Sequence, residues 1–375
     1  MLKNKKLIIF PLFMFILLIL SSCTSKNKKL LILNWGEYIN DELVAKFEEE
    51  NDVEVVISIA ESNELFYSKI KSGTTVYDLV VPSDYMIEKM MEKELLQEID
   101  FTKLTNYDQE ENPYMPGVLN IQKQMVKDNE KYAVPYFWGT FGLMYNKQKQ
   151  GLEQSIIENG WNAYFNDSLL PANTRKGMYN VSRYAYAAAM YYNQTSANEF
   201  SDALSKKAEA DLKAANINEW GTDSLKKGIV ANNLDLAFVY TGDFLDMLYV
   251  QLDDGKKLEE MTFDIHIPEN TIAFMDAFVI PKKARNVDLA HKFIDFFLDS
   301  NNALANASVV GYATPLVNSY NEIVNPKDND DWSLSWAYAN NKYYPKDEIK
   351  GIPLKNFQQD ILDKINQMVN RVKIS

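Results

Sequence analysis

The chain has 375 residues, with 39 Lys and Arg against 52 Asp and Glu and a formal net charge of −13. That length allows two domains of ordinary size, while the acidic balance argues against nucleic acid, whose phosphates it would repel, and suits a cationic ligand. The single cysteine excludes an intrachain disulfide and a thiolate-rich metal site.

The first segment reads as a secretory leader. Lys3, Lys5 and Lys6 form a basic start, and Leu7 to Leu20 is an almost unbroken apolar run, shorter than the roughly 20 residues a bilayer crossing needs. Leu20-Ser21-Ser22-Cys23 resembles the lipobox of bacterial lipoproteins, which implies lipidation of Cys23. We therefore expect a signal peptide over residues 1–22, a polar tether over 23–28, and a protein anchored by lipid on the outer face of the bacterial cell membrane. Loss of residues 1–22 removes three lysines and takes the net charge to −16.

Beyond the tether, Lys29 to Leu33 reads as a first strand ending at Asn34. Asn40 is a candidate N-cap with Asp41 and Glu42 in the first turn, and Leu43, Val44 and Phe47 fall at helical spacing up to Asn51. Val53 to Ile59 is β-branched and strand-like, Asn63 to Lys71 helical, Asp78 to Val81 a short strand broken by Pro82, and Tyr85 to Leu96 helical. This alternation is the pattern of a doubly wound α/β domain, in which ligands bind beyond the carboxyl ends of the strands. Trp35-Gly36-Glu37-Tyr38 and Pro82-Ser83-Asp84-Tyr85 should then share one rim.

Further on, Tyr132 to Tyr145 is strand-rich, with a Pro and a Gly marking breaks. Tyr184 to Tyr192 reads as helix, and Leu234 to Tyr240 and Ala273 to Ile280 as strands. Asp288 to Leu298 is an amphipathic helix with Ala290, Phe293, Ile294 and Phe297 on one face. The chain from Asn325 reads as irregular, then helical from about Leu354.

Enzymatic chemistry finds little support. His266 and His291, the only histidines, have no metal-ligand spacing, and no Gly-rich phosphate loop or G-x-S-x-G elbow occurs. Neither a metal nor a cofactor is expected. A carboxylate pair such as Glu37 and Asp276 leaves glycoside hydrolysis open as an alternative, and Trp35 and Tyr85 could stack a sugar. The recurrent feature is aromatic residues and acids at strand ends: Trp35, Glu37 and Tyr38; Ser83 and Tyr85; Tyr240 and Asp243; Phe274 and Asp276; and Tyr312 in a turn. Carboxylates suit ammonium groups through charge-assisted hydrogen bonds. Aromatic faces hold methylenes and add cation–π attraction of about 0.5–2 kcal/mol per contact.

The motifs "NWGEYI", "ESNELFYSKI", "YDLVVPSDY", "YAVPYFWGTFGLMYN", "FMDAFVIPKKARN" and "GYATP", in this order, resemble the polyamine-binding (spermidine/putrescine) subunits of bacterial ABC importers. The resemblance runs from about Leu30 to near the C-terminus. It implies a two-lobed, type II periplasmic-binding-protein-like α/β fold with a hinge, and no chemistry on the ligand. Lobe I would comprise residues 29–137 and 277–324, and lobe II 138–276 and 325–375. Ligand contacts carried over by position are Trp35, Glu37, Tyr38, Ser83, Tyr85, Tyr240, Phe274, Asp276 and Tyr312, with Thr222 near a smaller polar contact. Glu37 would hold one polar end and Asp276 an inner ammonium. Tyr240 and Phe274 stand where spermidine binders have tryptophans, and Val181 and Tyr184 where those binders carry acids. Asp243 matches an acid of the putrescine binders. The implied ligand is putrescine over spermidine, and the implied partners are permease subunits. We expect a monomer.

Overall fold

The computed structural model describes residues 28–108, 110–125, 128–325 and 351–375. The expected leader, Cys23 and the tether up to Asn27 lie outside these residues. The first strand, β1 (Lys29–Asn34), pairs in parallel with β2 (Glu54–Ile59) on one side and β3 (Leu79–Val80) on the other. Ile32 meets Ile57 and Leu79 across the two ladders. The helices between them start where capping residues allow. Asn40 accepts the Glu42 N–H at 2.9 Å and opens the helix Asp41–Asn51, and Ser62 accepts the Leu65 N–H at 3.2 Å and opens Asn63–Ser72. Gly73, at φ +64°, closes the latter in the left-handed region that favours glycine.

The helix Asp84–Glu92 stops four residues short of the expected end. Leu96 instead forms β4 (Leu96–Gln97), which pairs with β11 (Ile280–Pro281). Thus the apolar run at the end of this segment serves a small sheet rather than a helix face.

A thirteen-residue strand, β5 (Val134–Asn146), is buried throughout. Its proline and glycines do not break it, contrary to the expectation from sequence. Pro135 lies opposite Ala277, beside a register shift, and the glycines mark close approach. A Cβ at Gly142 would come within 2.7 Å of the Ile265 and Ile267 side chains, and one at Gly139 within 2.9 Å of Thr241. Around β5 the second sheet collects β6 (Lys176–Tyr179), β7 (Glu219–Gly221), β8 (Leu236–Tyr240), β9 (Phe263–His266), β10 (Ile272–Phe278) and β12 (Ile352–Pro353). Its order is β12-β10-β5-β8-β6-β7, with β9 also on β5.

β5 and β10 join the two halves of this two-lobed α/β fold. β10 pairs antiparallel with β5, shifts register between Asp276 and Ala277, and continues into bonds with the first sheet. There Ala277 N–H donates to Pro82 O at 3.1 Å and Val279 N–H to Val80 O at 2.9 Å. The amphipathic helix Val287–Leu298 then buries Ala290, Phe293, Ile294 and Phe297, as its spacing predicts. His291 is structural: its Nε2 accepts the Asp100 N–H at 2.9 Å. The last helix, Gln359–Lys373, starts five residues after the expected Leu354 and packs on the helices Ser182–Tyr192 and Asp202–Ala214.

Asp78, fully buried, ties the returning chain to β1. Its carboxylate accepts the N–H groups of Leu31, Arg285 and Asn286 and the Asn286 amide at 2.8–3.1 Å. Asp78→Ala strands three backbone donors, and we expect a loss of roughly 3 kcal/mol of stability, measured by urea unfolding; a loss under 1 kcal/mol would contradict this role.

Candidate functional site

The turn after β1 places Trp35 and Glu37 at a rim and Tyr38 inside it. Glu37 adopts φ +52°, an uncommon conformation for a residue with a Cβ, which reverses the chain at this point. Trp35 lies over Phe66, with ring centroids 4.7 Å apart, and its indole N–H donates to Val81 O at 2.8 Å. This bond joins the two strand-end loops on one rim.

Tyr38 is buried and donates its hydroxyl to Asp276 Oδ2 at 2.6 Å. Its ring meets Tyr312 edge-on at 4.9 Å, and its carbonyl accepts the Tyr136 hydroxyl at 2.8 Å. Asp276 sits at the register shift in β10, buried, and its Oδ1 has no hydrogen-bond partner among the described residues. Burial raises its pKa to about 6, against the opposing influence of the Ser83 and Tyr38 hydroxyls. Ser83 pairs with Asp276 through the backbone, and its side chain accepts from Asn63 Nδ2 at 3.0 Å.

The opposite wall is aromatic. Tyr240, at the end of β8, lies 3.9 Å from Phe141 between ring centroids and meets Phe274 edge-on at 4.9 Å. Its hydroxyl shares a 2.8 Å hydrogen bond with that of Tyr184. Gly242 is required here for space: a Cβ would fall 2.2 Å from the Tyr312 ring. The Thr241-Gly242-Asp243 turn thus lets Tyr312 rest on the start of the helix Thr241–Asp253.

Asp243 is buried and caps that helix, accepting the Tyr240 N–H at 3.2 Å. It also accepts the Tyr312 hydroxyl at 3.5 Å and lies 3.6 Å from Lys226 Nζ. Burial raises its pKa to about 6, with Lys226 opposing. Lys226 Nζ is 2.7 Å from Asp246 and 3.6 Å from Asp223. Burial disfavours its charge, but Asp243, Asp246 and Asp223 together outweigh that and lift its pKa above the ordinary lysine value.

These groups enclose a cavity of about 390 Å³, within the size range of small-molecule sites. Trp35, Glu37, Tyr38, Tyr184, Thr222, Tyr240, Asp243, Asp276 and Tyr312 all line it. Ser83, Tyr85 and Phe274 stand outside the lining: Phe274 backs Tyr240 and Tyr312, and Tyr85 directs its hydroxyl to Glu64 at 3.4 Å. Val181 lines the cavity at the start of the helix Ser182–Tyr192.

Sequence reasoning missed Tyr179, Glu61, Asp223, Lys226 and Asp246 in the lining. Tyr179 ends β6 as Tyr240 ends β8, so the strand-end rule could have found it. Asp246 is one turn beyond Asp243 on the same helix face. Lys226 carries no such signal, since "SLKKG" reads as an ordinary solvated helix. Six carboxylates and one ammonium line the cavity, which suits cations and disfavours anions.

Comparison with known proteins identifies the family. Residues 34–303 match the family model described as bacterial extracellular solute-binding protein. The chain belongs to that family. This solute-binding protein is 28% identical over 316 residues to the spermidine/putrescine-binding periplasmic protein of Salmonella typhimurium, covering 83% of this chain and 84% of the relative. It is also 28% identical to the putrescine/cadaverine-binding protein of Pseudomonas aeruginosa, over 77% of this chain and 79% of that one. Among solved structures, the substrate-binding protein PotD of a spermidine/putrescine ABC transporter from Streptococcus pneumoniae superposes with a TM-score of 0.70. The two share 26% identity over 92% of this chain and 99% of that one. These relatives bind solutes and are not enzymes. Among the described residues, no helix is long and apolar enough to cross a membrane.

The buried Asp276 carboxylate makes a prediction about the ligand-free protein. Its folded pKa of about 6 lies above the ordinary aspartate value of about 4, so between these values the native state holds a proton that the unfolded state has released. Stability from this group is full below about pH 4 and is lost as pH rises to about 6. Asp276→Asn should therefore unfold at higher urea than the parent at pH 8, by up to about 3 kcal/mol, with the advantage vanishing near pH 4. Equal stabilities at both pH values would contradict the burial cost.

Proposed function

We propose that the cavity binds a linear polyamine, putrescine in preference to spermidine, and delivers it to the permease subunits of an ABC importer without altering it. The observation that carries this reading is the buried Asp276 carboxylate, with one oxygen free and aromatic rings around it. An ammonium supplies the missing counter-charge and donors, and Tyr38, Tyr240 and Tyr312 cover the methylenes. Glu37, at the rim, takes the second ammonium of a diamine. The uncharged Val181 and Tyr184 favour putrescine over a longer triamine, and the names of the relatives above are consistent with a polyamine.

On this reading lobe I comprises residues 29–137 and 277–324, and lobe II 138–276 and 325–375. The passage of β5 outward and of β10 back at Asp276 supports these boundaries, as does the docking of the final helix through Arg371 on Glu209 at 2.7 Å. Tyr38 and Asp276 then face each other where the lobes meet, so ligand binding favours the closed form. The protein acts as a monomer, held through lipidated Cys23 at the outer face of the membrane after removal of residues 1–22.

Calorimetric titration of residues 25–375 with putrescine, cadaverine and spermidine tests the reading. Putrescine should bind most tightly, and a ligand at about 100 times its Kd should add roughly 2.7 kcal/mol of stability. Absence of binding by all three would refute it. Asp276→Asn should weaken putrescine binding by about 2–5 kcal/mol; unaltered affinity would remove Asp276 as the anchor.

The same carboxylate sets the pH response. A bound ammonium favours the ionised form and lowers the raised pKa, so binding near pH 6 should release protons, seen as a buffer-dependent enthalpy. Below pH 6 affinity should fall by about tenfold per pH unit for each carboxylate that must ionise. Constant affinity from pH 8 to 5 would contradict this.

A further inference from the structure

We propose that Lys226 is a resident cation that fills one ammonium position of the cavity and so sets the length of ligand the site accepts. The inference rests on the polyamine reading above and names the residue that enforces its selectivity.

The cavity has three groups of carboxylates. Asp276 lies beneath Tyr38, Glu37 and Glu61 stand exposed at the rim, and Asp223, Asp243 and Asp246 gather near the starts of two helices, Asp223–Val230 and Thr241–Asp253. Only the third group already holds an ammonium, that of Lys226. Lys226 lines the cavity and places Nζ 2.7 Å from Asp246 and 3.6 Å from both Asp243 and Asp223. That is the environment a primary ammonium would seek, supplied by the protein's own chain.

The position is continuous with the rest of the site. Tyr312 links the first and third groups, its ring edge-on to Tyr38 and its hydroxyl on Asp243 at 3.5 Å. An extended triamine would need all three groups, and Lys226 already holds the third. A diamine needs two. Lys226 is also satisfied by carboxylates, so it is not left to attract a carboxylate on the ligand; an amino acid or dicarboxylate would meet acids at every other group.

A purely structural lysine, fastening one helix start to the other, would affect stability but not ligand choice. The discriminating readout is the ratio of spermidine to putrescine Kd. Titrating both ligands into the parent and into Lys226→Met should show that ratio falling at least tenfold in the variant, because the three freed carboxylates recruit the third amine. Thermal unfolding of the same variant should show spermidine raising Tm more than putrescine does, the reverse of the parent. Lys226→Arg, which keeps the cation, should keep the parent's preference, and Lys226→Gln replaces the Met variant should that one not fold. A ratio unchanged in a variant that still binds putrescine overturns this inference alone. Failure of the parent to bind any polyamine overturns the functional reading on which it rests.

Discussion

The hydrogen bond from Tyr38 to Asp276, 2.6 Å long, is the contact on which the rest of the site depends. It joins the loop after the first strand to the register shift of β10, residues 238 positions apart in sequence. It satisfies one carboxylate oxygen and leaves the other buried and unmatched. A fold that keeps an acid in this state raises its pKa and forgoes stability, a cost that persists in proteins where a ligand later supplies the missing partner. The surrounding rings make the arrangement possible by excluding water.

Much of the fold was legible in the residues. Asn40, Ser62 and Gly73 mark helix boundaries through local chemistry, and the stripe of Ala290, Phe293, Ile294 and Phe297 gave the helix Val287–Leu298 to within a residue. The errors arose where tertiary contacts override local signals. Gly139 and Gly142 looked like strand breaks but are places where Thr241 and Ile265 come too close for a side chain. Leu96 looked like the end of a helix and instead pairs with a strand far away in sequence.

The cavity divides in the same way. Trp35, Tyr38, Tyr240 and Asp276 could be found because strand ends in α/β sheets converge on one crevice. Phe274 was expected in the lining as well, yet its ring packs against Tyr240 and Tyr312, which stand in the lining in its place. Lys226 could not be found at all, because a lysine acquires its meaning only from the acids around it, and two of those come from a different helix. Asp243 illustrates the coupling: the sequence offers it as a free anchor, whereas it already caps a helix and faces an ammonium.

The make-up of the aromatic wall has an optical consequence. Of the tryptophans among the described residues, Trp35, Trp138, Trp161 and Trp220, only Trp35 lines the cavity, and its ring is held at the rim by Phe66 and the Val81 carbonyl. The interior is walled instead by tyrosines. The part of the indole emission that comes from Trp35 therefore reports on the entrance to the crevice, while the innermost ligand positions are seen through tyrosine absorption.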